Sequence, residues 1–259
     1  MITSTQNQKI KWVRLLQRQA QARQDDSVFV TEGVRLVEEA FHAGWEAELV
    51  LFTAGLSARG QAIVKGFAER GSAMEEVSPG VFEAVSETMT PQGILAVIRQ
   101  SSQPPPETLN FVLIADEIRD PGNLGSILRS AAAAGVQAVF LTPGCADPFS
   151  PKVVRSAMGA HFRLYLATLD WPAIQERIVA NNLFAVLAAA GAGSPYTECD
   201  FRRPLAIIIG GEAEGAGPQA HALANAPVHI PLARNTESLN AAAAAAILLF
   251  EVVRQRNNP

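Results

Sequence analysis

Apolar and polar positions change period repeatedly along this chain, and each change marks an element. Over residues 8–24, Ile10, Val13 and Leu16 recur at helical spacing while Lys11, Arg14 and Arg18 form a second stripe, which predicts an amphipathic helix. Short β-branched and aromatic runs then alternate with helical stretches. Strands are predicted at 28–30, 48–52, 74–77 and 94–98, with helices at 32–42 and 59–70 that Gly44 and Gly71 bring to a stop. Ser101-Ser102-Gln103-Pro104-Pro105-Pro106-Glu107 interrupts the alternation, because three consecutive prolines favour extended geometry and fit neither a helix interior nor a central strand.

Beyond that linker the alternation is more regular. An apolar run at 110–115 ends in Asp116 and Glu117, as a buried parallel strand would. Further strands are expected at 138–141, 162–167, 184–188, 205–209 and 228–230. Helices are expected at 123–134, 151–159 and 172–181, and an Ala-rich final helix opens near Ser238, whose hydroxyl suits an N-cap. Repeated βα units imply a parallel sheet covered by helices, with ligands held at the carboxyl ends of its strands. The chain thus reads as α/β throughout: a smaller unit at 1–100, a linker at 101–107 and a larger parallel-sheet domain at 108–259.

Composition narrows the partners. With 48% hydrophobic and 18% charged residues among 259, this is ordinary globular composition. A formal charge of −4 excludes a uniformly basic nucleic-acid coat, though not a local cationic face. Such a face is available before residue 25, where Lys9, Lys11, Arg14, Arg18 and Arg23 meet no acidic side chain. It is either a solvated helix surface or a contact for an RNA backbone. Cys145 and Cys199 make neither a disulfide framework nor a metal set, and read as thiols of a reducing cytoplasm. The four histidines lack metal-ligand spacing, so no metal is expected. Residues 1–6 lack the apolar core of a signal peptide, and no apolar run is long enough to span a membrane.

Candidate chemistry gathers at three strand-to-helix junctions. Asn123-x-Gly125-x-x-x-Arg129 opens the first helix of the larger domain. Gly210-Gly211-Glu212-Ala213-Glu214-Gly215-Ala216-Gly217 follows the 205–209 strand, and its glycines permit positive φ and close approach of backbone to a ligand. That turn lacks both the Gly-Lys-Ser/Thr of a P-loop and the spacing of a dinucleotide fingerprint. Ile230-Pro231-Leu232 leads to Ser238-Leu239-Asn240, where a loop feeding a helix N-terminus presents unpaired N–H groups.

This ordered trio resembles the three motifs of the SpoU/TrmH family, the SPOUT-class RNA ribose 2′-O-methyltransferases, and the resemblance spans about residues 108–256. Phe29-Val30-Thr31-Glu32-Gly33 and the helix after it are similar to the substrate-binding domain that often precedes these catalytic domains. The resemblance implies S-adenosyl-L-methionine as cofactor, held at Gly210, Gly211, Gly215, Ile230, Leu232 and Leu239. It implies Arg129 as the catalytic arginine with Asn123 as its partner, and Glu212, Ser238 and Asn240 as further catalytic-site residues. Glu212 is alternatively a surface cap. Arg129 is either a formal base or a group that polarises the sugar hydroxyl and clamps a phosphate; a guanidinium keeps its proton, which favours the second. Lys11, Arg14, Arg18, Arg155 and Arg234 are the RNA-contact candidates, although Arg155 fits an ordinary helix surface and Arg234 fits solvent equally well. The family also implies a homodimer, a trefoil knot in the larger domain, and an N-terminal fold like a ribosomal RNA-binding protein. The implied substrate is structured RNA, rRNA ahead of tRNA; a non-catalytic RNA-binding protein with a vestigial cofactor cavity is the competing reading.

Overall fold

The computed structural model describes residues 1–100, 106–212, 215–233 and 238–257. In chain order its helices are α1 (Gln8–Arg18), α2 (Ala20–Asp25), α3 (Val34–His42), α4 (Ala58–Glu69), α5 (Pro79–Val85), α6 (Pro121–Ala133), α7 (Pro151–Ala157), α8 (Trp171–Ala180), α9 (Pro218–Leu223) and α10 (Ala241–Asn257). The strands are β1 (Val28–Glu32), β2 (Ala47–Phe52), β3 (Ala73–Glu76), β4 (Ile94–Arg99), β5 (Phe111–Asp116), β6 (Ala138–Leu141), β7 (Tyr165–Thr168), β8 (Phe184–Ala188), β9 (Ser194–Pro195), β10 (Leu205–Gly210) and β11 (Ala226–His229).

The elements form two compact units, residues 1–102 with 147–162, and residues 103–146 with 163–259. The first is a four-stranded mixed sheet in the order β1-β4-β2-β3, with only β2 and β3 parallel. Alternate side chains of a strand face opposite ways, and here each set has its own cover. Val28, Val30, Leu49, Leu51, Leu95 and Val97 meet α1 and α5, while Phe29, Val50, Ile94, Ala96 and Ile98 meet α3 and α4.

Three features of this unit differ from the sequence reading. The 8–24 helix breaks at Gln19, which is extended (φ −119°, ψ 118°), so α1 and α2 are separate. Arg23 is the reason: it is buried, donates to the carbonyls of Leu16 and Gln17 at the end of α1, and its Nε–H lies 2.8 Å from Asp147 Oδ2. It is therefore no surface cation. The short α5, opened by a proline, goes unpredicted. Segment 147–162, counted by the sequence with 108–259, packs in this unit, where Phe149, His161 and Phe162 stack around Phe29 and Trp45. Periodicity shows that such a stretch is buried, not which core buries it.

The second unit carries a seven-stranded sheet, β7-β6-β5-β10-β8-β11-β9, parallel at every pairing. One face is covered by α8 and α9 through Ile174, Ile178 and Ala220. Elsewhere α6 and α10 pack on each other, and α10 also packs on β10. Neither β9 nor α9 was expected, both being very short. The final helix starts at Ala241, not near Ser238, because Asn240 is its cap: the Asn240 Oδ1 accepts the N–H groups of Ala242 and Ala243 at 2.9 and 3.2 Å. Of the linker, 101–105 lies outside the described residues. No helix among the described residues is long and apolar enough to cross a membrane.

Candidate active site

Two neighbouring central strands set the site's position. In the register of β10 on β5, Gly210 sits opposite Asp116, so the turn leaving β10 and the connection from β5 to α6 emerge side by side. Asp120 begins α6 by accepting the N–H of Asn123 at 2.8 Å, with Pro121 at the first helical position. That cap brings Asn123 to the mouth of the sheet. On the same helix Leu124, Ile127 and Leu128 are buried, and Ser126 and Arg129 are exposed.

The turn after β10 folds back tightly. A Cβ on Gly210 would lie 2.3 Å from the backbone N of Ala216, and one on Gly211 would lie 2.7 Å from the carbonyl O of Glu117. Both positions are closed to any side chain. Gly215 has φ +72° and donates its N–H to the Gly211 carbonyl, closing the turn.

A line of side chains ties the three junctions together. Asn240 Nδ2 donates to Asn123 Oδ1 at 2.9 Å, and Asn123 Nδ2 donates to Glu212 Oε1 at 2.5 Å. Asn123 thus uses both ends of its amide on residues 117 and 89 positions away in sequence. Beside this line lies a cavity of about 470 Å³, within the range of small-molecule sites. Gly210, Gly211, Gly215, Ile230, Leu232 and Leu239 all line it, as do Glu212 and Ser238. Ile209, Ala244 and Leu248 extend an apolar wall, and His221 and His229 add polar groups the sequence did not single out.

The remaining sequence candidates fall elsewhere. Arg129 does not line the cavity, and no hydrogen bond or ion pair holds it among the described residues. Lys11 and Arg18 are exposed on α1, whereas Arg14 donates to the Ala84 carbonyl at 3.1 Å. Arg155 pairs with Glu87 at 2.5 Å, which neutralises the cation offered for RNA. Arg234 lies outside the described residues. The described residues include no cluster of His, Cys, Asp or Glu that could hold a metal ion.

Sequence reading passed over Asp116. Its carboxylate is buried at 3% exposure, accepting the Gly217 N–H at 2.7 Å and the Thr142 hydroxyl at 3.1 Å. A charged residue closing an apolar strand was the available signal. Both cysteines are free thiols, and burial raises the pKa of each.

Comparison with known proteins places this geometry. The SpoU rRNA Methylase family matches residues 110–250, and the MRM3-like substrate binding domain matches residues 7–96. The chain is 33% identical over 252 residues to the 23S rRNA (guanosine(2553)-2′-O)-methyltransferase RlmP of Bacillus subtilis, covering 97% of this chain and 98% of that one. It superposes on the AdoMet-bound rRNA methyltransferase of Sinorhizobium meliloti with a TM-score of 0.88 at 30% identity, over 98% of this chain and 97% of that one. The SpoU methyltransferase AviRb of Streptomyces viridochromogenes, crystallised with AdoMet, also gives 0.88, at 27% identity over 98% and 100% of the two chains. The chain belongs to the SpoU rRNA methylase family, and is an S-adenosylmethionine-dependent RNA 2′-O-methyltransferase whose catalytic domain follows an MRM3-like substrate-binding domain.

Proposed function

We propose that this protein methylates a ribose 2′-hydroxyl of ribosomal RNA in the cavity beside Asn123, Glu212 and Asn240. One observation carries the reading: three junctions far apart in sequence are joined by the Asn240–Asn123–Glu212 line against a glycine-walled hollow. The hollow suits S-adenosylmethionine. Gly210 and Gly211 let the turn fold back against the backbone of Ala216 and Glu117 and so present bare backbone to the hollow, Ile209, Ile230, Leu232 and Leu248 offer an apolar wall to an adenosine ring, and strand-end backbone groups are available to its polar edge. When bound, that group supplies a methyl already activated by a sulfonium, so the protein's task is alignment and charge placement.

In this reading Asn123 and Asn240 hold the junctions in register, and Glu212 is fixed by Asn123 at the cavity's edge. Ser238 faces the same space and orients the ribose. Arg129 polarises the attacking hydroxyl and clamps a neighbouring phosphate, keeping its own proton throughout. Because Arg129 is exposed on α6 and is not among the residues lining its own cavity, we assign it to the site of a second copy, which makes the working unit a homodimer. An apolar stripe supports this: Ala243, Ile247 and Phe250 follow one side of α10, and Phe250 is 48% exposed. The trefoil knot stays with this proposal as an implication of family membership, and a cytoplasmic setting stays with it as an expectation.

The MRM3-like domain favours rRNA over tRNA, with Lys11 and Arg18 as its available backbone contacts. Labelled S-adenosylmethionine, incubated with the protein and with ribosomal or transfer RNA, tests the reading. One ribose methyl mapped in rRNA is expected. Transfer to tRNA alone would replace the substrate, and absence of cofactor binding in calorimetry would end the proposal.

A further inference from the structure

The turn that walls the cavity is gripped at both ends, by the first turn of α6 and by the last residue of β5. At its start, Glu212 is held by Asn123. At its end, just before α9, the N–H of Gly217 donates to Asp116 Oδ2 at 2.7 Å. The other carboxylate oxygen is committed as well. Thr142 Oγ1 already accepts the N–H of Glu117 at 3.0 Å, so its own proton is directed to Asp116 Oδ1, 3.1 Å away. Asp116 is thus a two-oxygen acceptor for two donors, buried at 3% exposure at the carboxyl end of a central strand. A carboxylate there is costly unless its oxygens are satisfied, and the group that satisfies one of them is the backbone of the cofactor turn.

The position matters because the three glycines of the turn offer no side chain to set its height, and of its other described residues only Ala216 packs against the core. Gly210, Gly211 and Gly215 contribute only backbone, and Gly210 lies under Ala216 with no room for adjustment. Ala216, the residue before the anchored N–H, lines the cavity. A shift at Gly217 is therefore delivered directly to the wall against which a ligand must lie.

We infer that Asp116, with Thr142 behind it, is a positioning residue for the cofactor turn: it sets the affinity for S-adenosylmethionine through the Gly217 backbone without touching the ligand. This inference rests on the methyltransferase reading above. Asp116→Ala is expected to raise KM for S-adenosylmethionine at least tenfold, leave kcat at saturating cofactor within about threefold, and leave KM for RNA unchanged. Asp116→Asn keeps one acceptor for Gly217 and should recover most of that loss. Thr142→Val should give a smaller rise, since Gly217 keeps its acceptor.

Ile63→Ala, in the core that α4 shares with the sheet of the first unit, supplies a destabilised control outside the cluster on which Ala216 of the turn packs, chosen for a similar fall in Tm. It should leave KM for the cofactor unchanged. The inference is overturned if Asp116→Ala leaves that KM at the wild-type value, or if the control raises it equally. Failure of the wild-type protein to bind the cofactor would instead sink the functional reading, so the two failures are separable.

Discussion

Among the described residues each compact unit holds a large hollow, and what separates the two is the make-up of their walls, not their size. That of the first unit, about 570 Å³, is the larger, and is lined by Val34, Thr53, Gly55, Ser57, Arg59 and the turn around Pro91. That of the second is about 470 Å³. In the first, Gly55 faces open space, with nothing within 4 Å of where a Cβ would stand, and Gly93 is closed only by the Thr53 side chain, not by backbone. In the second, Gly210 and Gly211 cannot accept a side chain, and hydrogen bonds reach across 117, 101 and 89 residues to hold the walls. Volume does not identify a binding site here. Side-chain ties that join three separate junctions beside a wall of backbone-closed glycines do, because such an arrangement costs chain entropy.

The sharpest way to break this contrast is one added methyl in each hollow. Gly210→Ala drives a Cβ into the Ala216 backbone and should weaken S-adenosylmethionine binding at least a hundredfold by calorimetry, with circular dichroism confirming the fold. Gly55→Ala should leave binding within twofold. Reversal of either result would mean the wrong hollow has been chosen. Arg129→Ala should lower kcat by about a thousandfold, the scale of a lost charge-stabilising group, while cofactor affinity stays within twofold. If Arg129 serves a second copy, mixing Arg129→Ala with Gly210→Ala protein should restore turnover, since one intact cavity then meets one intact arginine. A mixture as inactive as its components would return Arg129 to its own chain.

The same contrast shows what the sequence could and could not reveal. Apart from β9, the strands of the second unit were legible because each is a largely apolar run bounded by turn residues. Their convergence was legible only through the family's ordered motifs: nothing local in Asn123 or Asn240 says that the two will meet. The helix cap was misplaced by two residues because Ser238 and Asn240 are both good caps, and only the contact with Ala242 and Ala243 decides between them. The break after Arg18 was illegible for a different reason. It depends on Arg23 reaching Asp147, 124 residues on, and periodicity cannot register a partner at that distance. Asp116 was visible as a residue but not as an anchor, since its value lies in the backbone it holds.

In the first unit the one strongly perturbed group is structural. His161 is buried, its Nε2–H donates to the Pro148 carbonyl at 2.6 Å, and its Nδ1 has no partner. Burial lowers its pKa to about 4 from 6.5. Above pH 6.5 the ring is neutral whether the chain is folded or not. Between 6.5 and 4 the unfolded chain binds a proton that the folded one refuses, so stability falls as pH falls, by roughly 3 kcal/mol in all. Below 4 the slope vanishes. Urea unfolding followed across this window should show the loss, and His161→Phe should remove about one proton's worth of the slope. An unchanged slope in the variant would assign the acid sensitivity to other groups.

The smallest effect expected bears on how the two units divide the labour. Lys11 and Arg18 remain exposed on α1, whereas Arg14, Arg23 and Arg155 are engaged by protein groups. If α1 contacts RNA phosphates, Lys11→Ala with Arg18→Ala should raise KM for RNA by several-fold and leave cofactor affinity untouched. The dependence of RNA binding on salt discriminates between the two meanings of such a charge run. Each lost phosphate contact lowers the slope of log affinity against log salt by about 0.7–0.9, so a double variant with two real contacts should flatten it by roughly 1.5. A parallel line at unchanged slope would make the stripe a solvated face, and the substrate would then have to be gripped elsewhere on the first unit.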